Sequence, residues 1–127
     1  MEASTDGRSD LGRRGEDAAL LRYRHAGYRL VARNWRCRLG EIDLVLARGA
    51  TLVVCEVKAR RDSGLAGPFE AVGARKQEKL RRLAQAFLLS EARSSAAGGV
   101  MDLRFDVASV TVGPDAHVSV HVFEDAF

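Results

Sequence analysis

The stretch GEIDLVLARGATLVVCEVKAR, residues 40–60, predicts two short apolar strands joined by a turn. A two-residue loop at Gly49-Ala50 is a common hairpin connection. Side chains alternate between the two faces of a strand, so this loop also predicts which residues share a face. One face is wholly apolar and carries Ile42, Leu44, Leu46, Val53, Cys55 and Val57. We expect that face to be buried against another part of the chain.

Charged side chains gather on the opposite face, at the open end of the hairpin. The predicted register places Asp43 opposite Glu56 and Glu41 opposite Lys58. Two carboxylates directly opposite each other on a sheet repel, because their Cβ atoms are only about 5 Å apart. A divalent cation turns this repulsion into binding, since hard cations such as Mg²⁺ favour clustered carboxylate oxygens. The alternative is an ordinary hairpin whose charged end is solvated and partly neutralised by Lys58; the buried back face and the converging acids favour the metal site.

Length and composition predict a single globular domain. The chain has 127 residues, of which 46% are hydrophobic and 29% are charged, which is ordinary for a folded domain. It has no apolar run of about 18 residues, so no membrane span is expected. The first ten residues lack an apolar signal core, and the two cysteines form no C-x-x-C pair. A cytoplasmic protein with reduced thiols is the simplest interpretation.

Basic side chains dominate the first two thirds of the chain. Residues 8–38 hold nine arginines against three acids, and residues 58–82 hold eight basic side chains against three acids. From residue 100 onward, one arginine stands against five acids. This distribution fits a polyanionic partner, and it fits an arginine-rich solvated surface equally well. Charge alone leaves both interpretations open.

Periodicity and turn signals place the other elements around the hairpin. We predict a helix over 10–26, a strand over 28–32, a helix from 69 or 74 to 92, and strands over 101–112 and 118–123, the last of them edge-like. Residues 60–68 predict a glycine-containing loop beside the site, and residues 94–99 predict a small-residue linker. The order α-β-β-β-α-β-β predicts an α/β fold in which helices cover a mixed sheet.

Both predicted helices present side chains to the hairpin. Glu16 shares a helical side with Leu20 and Tyr23, which turns it toward the core. A glutamate in this position is more often at the solvated edge of a helix, and the alternative is that it reaches a site beside the sheet. Gln77, in the first turn of the second helix, is placed to point toward the hairpin. The basic residues of that turn oppose the helix dipole, so they do not stabilise the helix. Phosphate contact and a solvated polar face are the two explanations for them.

The spacing of the site residues resembles a known class of enzymes. Asp43, Glu56 thirteen residues later, and then Lys58 form a D…ExK pattern. This pattern is similar to that of the PD-(D/E)xK nuclease superfamily, which includes restriction endonucleases and archaeal-type Holliday junction resolvases. Longer segments resemble the YraN/UPF0102 family of small bacterial proteins: GRRGED (12–17), YRLVARNWR (28–36), GEIDLV (40–45), VVCEVKAR (53–60), KQEKLRRLA (76–84) and RFDV (104–107).

The resemblance implies a restriction-endonuclease-like fold, in which helices flank a mixed sheet, over a single nuclease-like domain at residues 10–127. Residues 1–9 are small and polar, and we expect them to be a disordered end. The resemblance also implies Mg²⁺ or Mn²⁺ as the cofactor and nucleic acid, DNA first, as the partner. Resolvase-like members cut two strands as dimers, so a homodimer stays open.

The resemblance also assigns roles residue by residue. Asp43, Glu56 and Lys58 match the superfamily's core triad, and Glu16 matches the first-helix acid of the resolvase-like branch. Asp43, Glu56 and Glu16 are thereby expected to hold the metal ion, while Lys58 orients the attacking water or neutralises charge in the transition state. Ile42 stands where the motif that names the superfamily has proline, a position at which many members vary.

Further side chains are expected to support the site or to follow the substrate. Glu41 and Gln77 are expected to support the metal ligands without binding the metal ion themselves. The side chains expected to contact the phosphate backbone without reading sequence are Arg33, Arg36, Arg38, Arg60, Arg75, Lys76 and Lys79.

The sequence therefore predicts a metal-dependent nuclease directed by the structure or the ends of its substrate, since no base-reading element is visible. Two alternatives remain. One is a non-catalytic nucleic-acid-binding module that retains the fold. The other is a small scaffold protein whose acid cluster is purely structural. The set of Asp43, Glu56 and Lys58 favours the enzyme, because a binding module has no use for it.

Overall fold

The predicted hairpin lies in the middle of a five-stranded mixed sheet in the computed structural model, which describes residues 7–62, 72–90, 99, 102–115 and 117–127. The elements are α1 (Gly7–His25), β1 (Arg29–Cys37), β2 (Gly40–Arg48), β3 (Thr51–Arg61), α2 (Ala74–Leu89), β4 (Asp102–Val112) and β5 (Val118–Phe123). The predicted order of helices and strands and the α/β fold class are confirmed.

The strands follow one another across the sheet in the order β1-β2-β3-β4-β5. Neighbouring strands are antiparallel except β3 and β4, which are parallel along the whole length of β3. A parallel pair needs a crossover, and the segment that contains α2 supplies it. The last strand lies at an edge of the sheet, as predicted.

A helix packs on each face of the sheet, so both faces of the hairpin are buried. On one face, Leu44, Leu46, Val53 and Cys55 share a cluster with α1. On the other face, the buried α2 residues Leu80, Leu83, Ala84 and Phe87 share a cluster with the intervening hairpin residues. Central strands buried on both faces lose the polar alternation of a half-exposed sheet, which explains their nearly continuous apolar sequence.

One residue of the predicted apolar face lies on the opposite side. Ile42 packs in the α2 cluster and not with Leu44 and Leu46. The change of face coincides with the end of the β2–β3 ladder, which stops at Leu44 and Cys55. Side chains of β2 alternate strictly between the two faces while β2 is paired with both β1 and β3. The alternation fails where the pairing with β3 ends.

Several predicted boundaries needed correction. β1 runs to Cys37 and so includes residues 33–36, which were expected to follow the strand. Residues 7–9 belong to α1, whereas the predicted disordered end reached residue 9. Arg60 and Arg61 extend β3, so the predicted loop over 60–68 begins later. The rest of that loop from residue 63 lies outside the described residues, as do residues 1–6 and residues 94–98 of the predicted linker.

Gly15 allows α1 to approach the sheet closely. The residue is buried, and a Cβ atom built on it would lie 2.5 Å from the Cβ atom of Ala59 on β3. Real carbon atoms do not approach so closely, so a side chain at this position would force the helix away from the strand. In the sequence Gly15 looks like a weak point of the helix, and the structure shows why glycine is required there.

We expect Gly15→Ala to lower the free energy of unfolding by about 1–3 kcal/mol because it overpacks the α1–β3 contact. Gly12→Ala is the matched control, since its Cβ would meet nothing within 4 Å. Alanine is the better helix former by about 1 kcal/mol, so the control should be neutral or stabilising. Urea unfolding of both variants measures the difference. Equal stability of the two variants would contradict the packing argument.

Candidate active site

The central hairpin opens where its carboxylates begin. β2 and β3 pair from Arg48 and Thr51 to Leu44 and Cys55, in the register that the two-residue loop predicts. Beyond this point β2 remains paired with β1, and β3 remains paired with β4. The two strands therefore separate one position before Asp43 and Glu56, and the acids line the opening between them.

Asp43 is tied to the neighbouring strand through its side chain. Its Oδ2 atom accepts a hydrogen bond of 2.8 Å from the backbone N–H of Val57. Past the end of the β2–β3 ladder this N–H loses its partner on β2, and a buried backbone donor needs an acceptor. The Asp43 carboxylate supplies it and thereby fixes its own position against β3.

The environment of Asp43 opposes its ionisation. Burial, followed by repulsion from Glu56, raises the pKa of Asp43 to about 7, although the hydrogen bond from Val57 acts in the opposite direction. Glu16 and Glu41 add further repulsion. The three acids that the sequence analysis associated with Asp43 therefore surround it closely enough to affect its charge. An added cation would relieve this repulsion.

Glu56 is paired with a cation from α2. The residue is only 9% exposed, and its Oε2 atom lies 2.9 Å from the Nζ atom of Lys76. The hydrogen bond to Glu56 raises the pKa of Lys76 above its ordinary value. Lys76 was predicted to contact the phosphate backbone, and here it contacts a carboxylate of the site.

Glu16 is likewise held by two side chains of β1. Arg33 Nε donates to Glu16 Oε1 at 3.2 Å, and Asn34 Nδ2 donates to Oε2 at 3.1 Å. Asn34 has a φ of 52°, an αL conformation that asparagine tolerates better than most residues. Because Arg33 also binds Asp17 at 2.8 Å, the predicted phosphate contact of Arg33 competes with two ion pairs.

The remaining predicted site residues differ in how they relate to the opening. Lys58 follows Glu56 by two positions on β3, is partly buried, and forms no ion pair with any residue in the described ranges. Glu41 lies 3.7 Å from the guanidinium of Arg36. Gln77 Nε2 donates to the backbone carbonyl of Val72 at 2.8 Å, so it fixes the entry into α2 and does not contact a site carboxylate.

A polar cleft of about 510 Å³ adjoins the acids on the α1 side. Its lining comprises Gly12, Arg13, Glu16, Asp17, Arg33, Asn34, Arg36 and Glu41. Four other predicted phosphate contacts lie elsewhere on the surface. Arg38, Arg75 and Lys79 are exposed near the β1–β2 turn and α2, and Arg60 is half-buried on β3.

The donor set fits a Mg²⁺ or Mn²⁺ ion held by two carboxylates. Within residues 7–62, 72–90 and the described part of the C-terminal region, no three His, Cys, Asp or Glu side chains converge on one metal position. The Glu16 carboxylate is engaged by Arg33 and Asn34. Mg²⁺ is commonly held by one or two carboxylates together with water and phosphate oxygens. Asp43 and Glu56 suffice for such a site.

A buried polar network behind the site was not foreseen. Asp106 on β4 is 0% exposed and accepts hydrogen bonds from Tyr23 Oη at 2.7 Å and from Arg104 Nε at 2.9 Å. A second nitrogen of Arg104 donates to Asp106 and to Tyr28 Oη. The signal was available in the segment RFDV. An acid between apolar residues of a central strand must be buried, and a buried acid needs partners.

Cys55 is a core residue, as its place on the predicted apolar face indicates. Cys55 is fully buried between α1 and the sheet, and burial raises the pKa of its thiol well above the usual range.

Neither α1 nor α2, the helices of the described ranges, is long and apolar enough to cross a membrane.

Comparison with known proteins identifies the relatives of this chain. The family whose sequence profile matches residues 15–110 is described as "Uncharacterised protein family UPF0102". A UPF0102 protein of Acidothermus cellulolyticus is 43% identical over 115 residues, which cover 87% of both chains. One from Pseudomonas syringae pv. syringae is 39% identical over 127 residues, which cover 100% of this chain and 98% of the relative. One from Streptomyces griseus is 52% identical over 81 residues, or 64% and 68% of the two chains. The chain belongs to the UPF0102 family.

Proposed function

We propose that this protein is a metal-dependent nuclease that hydrolyses phosphodiester bonds, with DNA cleaved according to its structure or its ends. The observation that carries the proposal is the opening between β2 and β3, where the Asp43 carboxylate lies beside the carboxylate of Glu56. Lys58 follows on the same strand. A sheet gains no stability from such acids, so a ligand that uses them is the simpler explanation.

In this proposal Asp43 and Glu56 hold Mg²⁺ or Mn²⁺, which would lower the pKa of water and stabilise charge developing on the phosphate. The Val57 N–H orients the Asp43 carboxylate before any ligand arrives. Lys58 orients the water or neutralises the phosphate in the transition state. Glu16 contributes from the α1 side when Arg33 and Asn34 release it.

The proposal also gives Lys76 a part. Its ammonium group balances Glu56 when the site holds no ligand. A cation bound to Glu56 would compete with that ammonium group, and the released side chain would lie beside a negatively charged phosphate. Arg33 likewise pairs with Glu16 and balances its charge when the site holds no ligand. Both cations thus reduce the repulsion that otherwise destabilises the acid cluster.

A second candidate function is a non-catalytic nucleic-acid-binding module. The same ion pairs favour it, since Lys76 and Arg33 already neutralise two of the site's acids without a metal ion. Such a module would bind DNA in a salt-sensitive manner, and its binding would be indifferent to changes at the acids. Cleavage distinguishes the two candidates.

The test is cleavage of labelled single-stranded, duplex, flapped and four-way-junction DNA and of RNA, each with Mg²⁺, Mn²⁺ or chelator. We expect the wild type to cleave only with metal. Glu56→Gln and Lys58→Met should each slow cleavage by about 10²-fold or more, because each removes a group that acts on the reacting phosphate or its metal.

Asp102→Asn is the matched control, because Asp102 is an exposed acid that pairs with Thr51 at the turn end of the hairpin, away from the opening. The control should cleave at the wild-type rate. If folded wild-type protein at high concentration cleaves none of the substrates with either metal, the nuclease proposal is wrong. Equal rates for the wild type and Glu56→Gln would point to a contaminating nuclease and have the same consequence.

A further inference from the structure

An exposed leucine lies among cations beside the proposed site. Leu39, in the β1–β2 turn, is 45% exposed. It lines a groove of about 290 Å³ together with Arg75, Glu78, Lys79 and Arg82 of α2. The hydrolysis proposed above uses neither Leu39 nor Arg82. The described lining of the groove thus combines one apolar side chain with three cations and one acid.

Close packing between the turn and the helix holds the groove in shape. Gly40 has a φ of 145°, and a Cβ atom on it would lie 2.9 Å from Lys79 Cε. The aliphatic stem of Lys79 therefore crosses directly over the backbone of the turn. Leu83, buried in the core below, lies 3.7 Å from the same point. The fold therefore holds Leu39 and the α2 cations next to each other.

The charge of the groove suits a phosphate chain. Arg75, Lys79 and Arg82 follow one side of α2 with about 6 Å and 4.5 Å of helix rise between them. Glu78 is the one acid among the described residues of the lining, and its Oε2 atom lies 3.1 Å from Arg82, which leaves the balance positive. Arg38, exposed beside Leu39, adds to it. Repeated cations along a groove are the feature by which proteins follow a nucleic-acid backbone.

An apolar side chain such as Leu39 gains different contacts from a duplex and from a single strand. A duplex keeps its bases stacked inside and presents phosphates and sugars to a surface groove, so an apolar tip gains little from it. A single strand exposes base faces and ribose edges, which apolar side chains can cover. The combination of one apolar contact and a row of cations therefore favours a single strand.

The groove is close enough to the site to bind the same molecule. Lys76, which contacts Glu56, is the residue next to Arg75 on α2. Leu39 precedes Asp43 by four positions, which corresponds to about 13 Å of extended chain. A strand of a few nucleotides spans this distance.

We propose that the groove formed by Leu39, Arg75, Lys79 and Arg82 binds a single-stranded segment that leaves the site, so that the substrate is a duplex with a single-stranded tail or branch. This inference rests on the proposed function and narrows its substrate class. Phosphates contact the three cations, and Leu39 covers a base or a ribose.

The test measures binding without turnover. Fluorescence anisotropy in chelator, over a range of salt concentrations, compares single-stranded DNA, blunt duplex and the same duplex with a single-stranded tail. We expect tighter binding of the tailed duplex than of the blunt one. Lys79→Ala combined with Arg82→Ala should weaken tail binding about tenfold and reduce the salt slope by about 1.4, the value for two lost contacts on a single strand.

Leu39→Ser should weaken binding of single-stranded and tailed DNA by about threefold to tenfold, the range expected for losing a partly buried leucine contact. It should leave the blunt duplex unaffected. Arg24→Ala is the matched control, because Arg24 is an exposed arginine at the end of α1. Thermal unfolding verifies that every variant is folded.

Three results would overturn the groove proposal. The groove variants could bind tailed DNA with wild-type affinity, or the wild type could prefer the blunt duplex. Polyglutamate could also displace tailed DNA as effectively as single-stranded DNA does. Failure of the nuclease proposal has a different signature. If tail binding depends on the groove but no substrate is cleaved, the groove stands and the nuclease does not. If cleavage occurs and the groove variants bind normally, the nuclease proposal stands and the groove proposal is wrong.

Discussion

Replacing Asp106 with alanine is expected to lower the free energy of unfolding by about 3–5 kcal/mol, the range for breaking a buried charge pair from one side. Asp106 is fully buried and accepts hydrogen bonds from Tyr23, Arg104 and the backbone N–H of Asp125. Without it, the Arg104 guanidinium and the Tyr23 hydroxyl lose their acceptor in a region where water is scarce. The network also joins α1, β4 and the C-terminal segment, so its loss loosens three parts of the fold.

Urea unfolding monitored by circular dichroism measures this loss. Glu124→Ala is the matched control, because the Glu124 carboxylate lies 3.7 Å from the same Arg104 but is largely exposed. An exposed pair contributes about 0–1 kcal/mol, so the control should remain close to the wild type. A loss below about 1 kcal/mol for Asp106→Ala would contradict the structural importance of the network.

Asp43→Asn is expected to change stability and activity in opposite directions. Burial and the nearby acids raise the pKa of Asp43 to about 7 from its ordinary value of 3.8. A carboxyl whose pKa is raised in the folded state favours folding when it is protonated. This contribution is complete below about pH 4 and is lost as the pH rises through about 7. At pH 8 the ionised carboxylate therefore destabilises the protein.

Asparagine removes that charge and keeps an oxygen that can accept the Val57 N–H. We expect Asp43→Asn to be more stable than the wild type at pH 8 by on the order of 2 kcal/mol, and this advantage should disappear near pH 4. If the protein has the proposed function, Mg²⁺ or Mn²⁺ should raise the melting temperature of the wild type, and the substitution should abolish both this rise and the cleavage.

Melting temperatures at pH 4 and pH 8, with and without metal, check both parts of this prediction. Glu41→Gln serves as the comparison, because Glu41 adds the smallest of the repulsions on Asp43 and is partly exposed beside Arg36. A variant of Asp43 that is less stable than the wild type at pH 8 would show that its carboxylate is stabilised by a partner rather than opposed by its neighbours.

Local sequence signals predicted the elements and the hairpin register well. Gly27 directly follows the helix predicted over 10–26, and its φ of 92° is the left-handed conformation that favours glycine at the end of a helix. The two-residue loop at Gly49-Ala50 sets the register from Arg48 back to Leu44. These features depend on neighbouring residues, so periodicity and turn chemistry suffice to predict them.

The details of the site depended on contacts between distant parts of the chain. The sequence indicated that Asp43 and Glu56 would meet, but it did not predict that the ladder would end one position earlier. Periodicity predicted that Glu16 would face the core. It did not predict the contact with Asn34, which requires an αL residue in β1. The charge of Lys76 suggested a surface role, and only packing of α2 on the sheet brings it to Glu56. Long side chains reach partners that spacing along the chain does not specify.

The separation of β2 from β3 has a consequence for the order in which the molecule assembles. Up to Cys55 the third strand can be positioned by the antiparallel meander β1-β2-β3, whose contacts are local and form quickly. From Glu56 onward β3 pairs with β4 alone, and β4 follows only after α2 and its flanking segments. Pairing across so long a crossover is a slow, non-local step. We therefore expect the two halves of the proposed metal site to form at different stages of folding, with Glu56 and Lys58 ordered only when the parallel pair closes.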